Sequence, residues 1–204
     1  MDWISNVEEL RATLHSLSAR DRHGRETDTD SSFAQWKNRT LRVRSGRRTV
    51  FLIGNGASAS MASHIAADLA KNAHIHTEVF SDLSLITAIA NDLSYEEVFA
   101  EPLRRRMVTG DMLVAISSSG QSPNIIRAVQ EATVRKGFIV TFSAMEPGNM
   151  LRLQGNLNYY VPAQTYGMAE SCHAAILHYW VDIVAERTTG FLYSNQLNVV
   201  GIDG

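Results

Sequence analysis

Apolar residues fall at Trp3, Val7, Leu10, Leu14 and Leu17 within residues 2–19, the spacing of one helical face. Residues 20–32, "RDRHGRETDTDSS", are polar and charged and read as a loop. A second helical pattern covers 33–46 and stops at Gly46. From residue 49 the period changes. "TVFLIGNG", "HTEVFS", "DMLVAIS", "GFIVTFSA" and "LNYYVP" are short runs rich in β-branched or aromatic residues. Helical segments at 58–73, 96–107, 122–136 and 168–187 separate most of them. Strands alternating with helices predict a parallel sheet covered on both faces. In such sheets ligands sit beyond the carboxyl ends of the strands, so the residues just after each strand are the informative ones.

Composition narrows the class without adding a function. The 204 residues suffice for one cored domain, and 45% apolar with 20% charged residues is ordinary for a globular protein. The net charge of −2 gives no global argument for nucleic acid or an anionic membrane, and neither is expected as a partner. No apolar run approaches the ~20 residues of a membrane span. The polar, acidic start "MDWISNVEEL" is unlike a signal peptide. The one cysteine, Cys172, has no intramolecular disulfide partner, which points to a reducing cytoplasm.

Two loops carry candidate chemistry. "GNGASAS", Gly54–Ser60, follows the first strand and opens a helix. Its small residues let a ligand approach the backbone, and free N–H groups at a helix start attract anions. Asn55, Gly56 and Ser58 are its candidate contacts. As a dinucleotide fingerprint it is poor: Gly54, Gly56 and Ala59 approximate G-x-G-x-x-A, but Glu78 sits inside the next strand rather than at its end. "SSSGQSPN" follows the third strand, with hydroxyls at Ser117, Ser118, Ser119 and Ser122 and Pro123 at the first helical turn. No lysine follows as in a triphosphate loop. Hydroxyls and backbone N–H groups suit a single phosphate monoester.

Histidines and carboxylates supply the rest. His64 and Asp68 are spaced i, i+4 on one helix face. Glu170 and His178 are roughly co-facial on the last helix, with His173 close to the same face. Such a set serves general acid–base catalysis or a metal, and spacing does not choose between them. Asn91 and Asp92 are turn formers in an apolar stretch, and "RRR" at 104–106 is a solvated face or an anion contact.

"GNGASAS", "TAIANDLSYEEVFAEPL" and "DMLVAISSSGQSPNIIRAV" together resemble the sugar isomerase (SIS) domain, and more narrowly the sedoheptulose-7-phosphate (phosphoheptose) isomerase family. The likeness spans about residues 49–186, with the helices of 2–19 and 33–46 matching the family's N-terminal helical portion. It implies an α/β fold: a five-stranded parallel sheet flanked by helices, a flavodoxin-like sandwich. Residues 1–48 would be N-terminal helices packing on the core or a neighbouring subunit, and 49–204 the SIS domain. It further implies a cytoplasmic homotetramer with active sites at subunit interfaces, and aldose–ketose isomerisation of a phosphosugar through an enediol in activated-heptose biosynthesis.

Carried over residue by residue, Ser117, Ser118, Ser119 and Ser122 match the phosphate loop. Asn55 and Ser58 match the first loop, and Asp92 matches a substrate contact. His64 matches a zinc-ligating histidine, and His178 the catalytic histidine. Two positions depart from the pattern. Asp68 stands where the family keeps a catalytic glutamate, and Glu170 where it keeps a glutamine. Asp68 or Glu170 is then the candidate base. His64, Asp68, Glu170 and His178 form a candidate set for one Zn2+ per subunit, and no nucleotide cofactor is implied. The competing expectations are an isomerase of another phosphosugar with Glu170 as base, and a non-catalytic SIS-type regulator.

Overall fold

The computed structural model describes residues 2–196, with side chains described as far as Ala185. Five parallel strands form the centre: β3 (Thr49–Gly54), β4 (His76–Val79), β5 (Met112–Ile116), β6 (Phe138–Ala144) and β7 (Leu157–Val161). Two more, β1 (Ser18–Asp21) and β2 (Glu26–Thr27), are antiparallel and extend the sheet beyond β7, in the order β2-β1-β7-β6-β5-β3-β4. The expected five-stranded sheet is therefore seven-stranded.

The extra pair comes from Ser18 and Ala19, expected to end the first helix, and from the polar stretch expected to be a loop. No apolar alternation announces it, because long-range polar contacts hold it. The Arg20 Nε donates to Glu26 at 2.6 Å, and the buried Arg152 donates to Ser18 Oγ at 2.6 Å. The Asn158 amide donates to the Arg20 and Asp21 carbonyls at 3.4 and 3.3 Å. Gly24 turns the hairpin with φ +76°, where side chains are strained.

The helices are α1 (Trp3–His15), α2 (Thr29–Ser45), α3 (Ala57–Ala73), α4 (Leu83–Asp92), α5 (Ala100–Arg106), α6 (Pro123–Val134) and α7 (Tyr166–Gln196). Aspartate caps explain several starts. Asp2, Asp28 and Asp82 each accept a hydrogen bond from the backbone N–H three residues on, at 2.9 Å. The Asp28 cap begins α2 at Thr29 rather than 33, and α1 ends at His15 rather than 19. The Asp82 cap starts α4, a helix absent from the sequence reading. The segment expected as one helix over 96–107 is a 3-10 turn at Tyr95–Glu97 followed by α5. Residues 197–204 of the expected 49–204 domain lie outside the described residues.

Strand alternation splits the core in two. Val50, Leu52, Met112, Val114 and Val140 face α2, α3 and α7, while Phe51, Ile53, Leu113 and Ile139 face the α5–α6 side. On the first face Trp36 of α2 stacks on Trp180 of α7 with ring centroids 4.0 Å apart, and the Trp180 Nε1–H donates to Thr40 Oγ1 at 3.0 Å. Truncating either fully buried indole would cost roughly 3–5 kcal/mol. Helix α2 is thus part of the main core. No helix among the described residues is long and apolar enough to cross a membrane.

Candidate active site

Parallel pairing of β3 with β5 sets Gly54 opposite Ile116, so the loops that follow emerge side by side. In the first, Gly54 has no room for a side chain: a Cβ would come 2.6 Å from the Ser58 backbone. Gly56 has φ +55° and opens α3, and Ser58 is buried in its first turn. In the second, Ser117 and Ser118 are buried, and the Ser117 and Ser122 hydroxyls lie 3.1 Å apart. The Ser119 Oγ accepts from the Gln121 N–H at 3.2 Å, leaving its own proton free to donate. The Ser118 Oγ is buried with no hydrogen-bond partner. Gly120, at φ +63°, lies so close to Asn149 that a Cβ would overlap the carboxamide.

The sequence did not single out the residue that joins the loops. Asn55 and the buried Asn124 exchange two amide hydrogen bonds of 2.9 Å each, and the Tyr95 hydroxyl donates to Asn55 Oδ1 at 3.4 Å. Asn124 also accepts from the Ile125 N–H at 3.0 Å, which fixes it at the start of α6. Its one sequence signal is its place directly after Pro123. The Asn55 amide is accordingly occupied in holding the loops together.

A second cluster lies further along α3. His64 and Asp68 from α3 meet His178 from α7, and one ligand atom from each lies within 4.8 Å of the others. His64 Nε2 and Asp68 Oδ2 are 3.4 Å apart, His178 Nδ1 and Asp68 Oδ2 4.0 Å, and the two imidazole centroids 5.2 Å. Lys71 Nζ approaches the other carboxylate oxygen at 3.7 Å. Asp68 is mostly covered, with 18% of its side chain exposed, while the histidines open to solvent at 60% and 47%.

Other expected residues sit elsewhere. Glu170 is half-buried and outside that cluster; eight residues along a helix separate it from His178 by ~12 Å of rise. His173, near the same face in sequence, is a core residue: Nε2 lies 3.2 Å from the Ser143 carbonyl, and burial pushes its pKa down to about 4. Asp92 ends α4 in the open, accepting from the Asn91 amide at 2.9 Å. All three arginines of the 104–106 run are matched by carboxylates: Arg104 by Glu97, Glu101 and the buried Glu131, Arg105 by Glu101, and Arg106 by Glu78. The Glu78 carboxylate is thereby committed to a salt bridge.

A cavity of about 260 Å³ adjoins the first loop, lined by Asn55, Gly56, Ser63, Ser81, Ile86 and Tyr95. His64, Asp68 and His178 do not line it. Between Ser58 and Asp68 α3 rises ~15 Å. The first loop and the His64–Asp68–His178 cluster are thus set about three helical turns apart in one chain.

Paired glycine- and serine-rich loops at the carboxyl edge of a parallel sheet, with a His/Asp/His cluster behind them, are matched by comparison with known proteins to a sugar isomerase domain. A family model described as "SIS domain" matches residues 29–142. A phosphoheptose isomerase of Coxiella burnetii is 35% identical over 142 residues, covering 66% of this chain and 71% of that protein. The phosphoheptose isomerase structure from Neisseria gonorrhoeae superposes with a TM-score of 0.69 at 28% identity, over 76% of this chain and 86% of that one. One from Francisella tularensis shares the fold with a TM-score of 0.74 at 20% identity, over 90% and 98%. The chain belongs to the SIS-domain family, among the phosphoheptose isomerase-like aldose–ketose isomerases.

Proposed function

We propose that this enzyme interconverts sedoheptulose 7-phosphate and an aldoheptose 7-phosphate. The observation that carries the reading is the joined pair of loops, with an unspent buried hydroxyl at Ser118 and free donors at Ser119 and Ser122. Phosphate would be held by Ser117, Ser118, Ser119 and Ser122 together with the α3 start at Gly56 and Ser58. Asp92 contacts the sugar.

Asp68 is the general base that moves the proton between C2 and C1, and His178 the acid–base group for the carbonyl and hydroxyl oxygens. Asp68 lies 3.4 Å from His64 and 4.0 Å from His178, so base and acid–base group face the same space. Two imidazoles and one carboxylate within 4.8 Å are a fitting donor set for Zn2+ with a fourth position open. His64, Asp68 and His178 would hold it, and when bound it would polarise the substrate oxygens. Asp68 then has two candidate duties, base or ligand.

The ~15 Å rise between the loops and the cluster is bridged by a long sugar or by a second chain, which accords with a cytoplasmic homotetramer whose sites lie between subunits. Glu170 lies outside the cluster of its own chain, about two turns nearer the start of α7.

The test is isomerisation of sedoheptulose 7-phosphate, with and without added zinc, by the wild type and by Asp68→Asn, Glu170→Gln and His178→Ala. Turnover lost in Asp68→Asn and His178→Ala supports the reading. Turnover lost only in Glu170→Gln moves the base to Glu170. No turnover by folded protein, with or without zinc, overturns it.

A further inference from the structure

The end of the sheet opposite the candidate active site is basic. Three depressions of about 430, 340 and 420 Å³ adjoin there and share Asn156, the residue before β7. Arg22, Arg39, Arg42, Arg48 and Lys136 line them, all exposed and none with an ion-pair partner among the described residues. Asp21 is the single carboxylate of the lining, and Arg25 holds it at 2.7 Å. The net charge of −2 conceals this concentration.

Helix dipoles account for part of it. In a parallel α/β layer the helix C-termini point to the amino edge of the sheet, and Arg42 in the last turn of α2 and Lys136 just beyond α6 offset them. Arg22, in the β1–β2 turn, and Arg48, directly before β3, have no such explanation. Arg39 lies over the Phe138 ring at 5.1 Å, which fixes its guanidinium at the mouth of the groove.

The row is long. From Arg48 at β3 to Arg22 beyond β1, the sheet order crosses β5, β6 and β7, four inter-strand steps or ~19 Å. One phosphosugar does not span it, whereas a strand carrying a phosphate on every nucleotide meets all five cations. Arginine forks match phosphate oxygens in pairs. Phe138 is already covered by Arg39 and the exposed His23 is the other ring of the lining, so contact is chiefly with backbone rather than stacked bases. Gln35 and Thr109 add neutral donors and acceptors suited to sugar hydroxyls. We propose that this amino-edge groove binds a single strand of nucleic acid through its phosphates, without sequence preference.

The test is fluorescence anisotropy of a short labelled single-stranded oligonucleotide of mixed sequence, titrated with the full chain over a salt series. Five phosphate contacts predict a log–log salt slope of about −3.5, close to a hundredfold loss of affinity between about 50 and 200 mM salt. The triple variant Arg22→Gln, Arg42→Gln, Arg48→Gln changes only exposed side chains. Its slope should fall to about −1.4, a loss of about sevenfold over the same range. An unchanged melting temperature of that variant assigns the loss to charge. Three results overturn the proposal: no binding by the wild type at low salt, the same slope in the triple variant, or displacement of the oligonucleotide by less polyglutamate or inorganic polyphosphate than unlabelled oligonucleotide, charge for charge.

Discussion

Asn55 and Asn124 face each other with both amides engaged, two 2.9 Å hydrogen bonds that bind the loop after β3 to the loop after β5. Each side chain is the other's main partner, so neither loop keeps its position alone. Asn124→Ala leaves the half-buried Asn55 NH2 group without its acceptor, while Tyr95 still donates to Oδ1, at a cost of about 1–3 kcal/mol. Melting temperature should fall by about 2–4 °C for each kcal/mol lost. If the loops hold the phosphate, KM for the phosphosugar rises while kcat changes little. Thermal denaturation and steady-state kinetics on one preparation check both.

Gly120 admits no side chain. Its φ of +63° costs an alanine roughly 1–3 kcal/mol, and the added Cβ would displace Asn149. Asn149 is itself fully buried, donating to the Glu146 carbonyl at 2.8 Å and accepting from the Arg152 N–H at 3.0 Å. Gly120→Ala should therefore lower the urea midpoint and weaken phosphosugar binding together. A midpoint equal to wild type would refute the close packing.

A metal at His64, Asp68 and His178 is readable as stability. Chelator-treated protein should melt higher on adding zinc, gaining about 2.7 kcal/mol at a hundredfold excess over Kd. His64→Ala should abolish the gain, and Glu170→Gln should leave it intact if the three-residue set is sufficient. Calorimetric melts with zinc, and elemental analysis of untreated protein, decide the matter.

His173 makes stability depend on pH. Its folded pKa of about 4 lies below the ordinary value near 6.5, because a charged imidazole is disfavoured in the core. Between those values the unfolded chain holds a proton that the folded chain does not, so stability falls as pH drops through that window. The contribution is of order 3 kcal/mol. In His173→Gln the decline between pH 6.5 and 4 should be shallower than in wild type, as chemical denaturation at several pH values will show.

The central strands were legible in the sequence because β3, β5, β6 and β7 are buried on both faces and read as unbroken apolar runs. The two loops after β3 and β5 were legible as features because glycine and serine mark the strand-to-helix turn. The β1–β2 hairpin was hidden, since its stabilising groups, Arg152 and Asn158, lie more than a hundred residues downstream. Helix periodicity placed Glu170, His173 and His178 on similar faces but said nothing of depth. The structure buries His173 under the Ser143 carbonyl, opens His178 toward Asp68, and leaves Glu170 two turns away. The reciprocal pairing of Asn124 is a tertiary fact with no local signature.

The β1–β2 hairpin has a consequence for how copies of this chain meet. Without it, β7 would offer an open row of backbone donors and acceptors to any passing strand. Capped by a two-residue β2 bearing Glu26, that margin has almost nothing left to pair with. At the far margin β4 is four residues long and carries Glu78, held by Arg106. Neither border of the sheet invites continuation into a neighbouring molecule. Growth into a ribbon of sheets is disfavoured by construction.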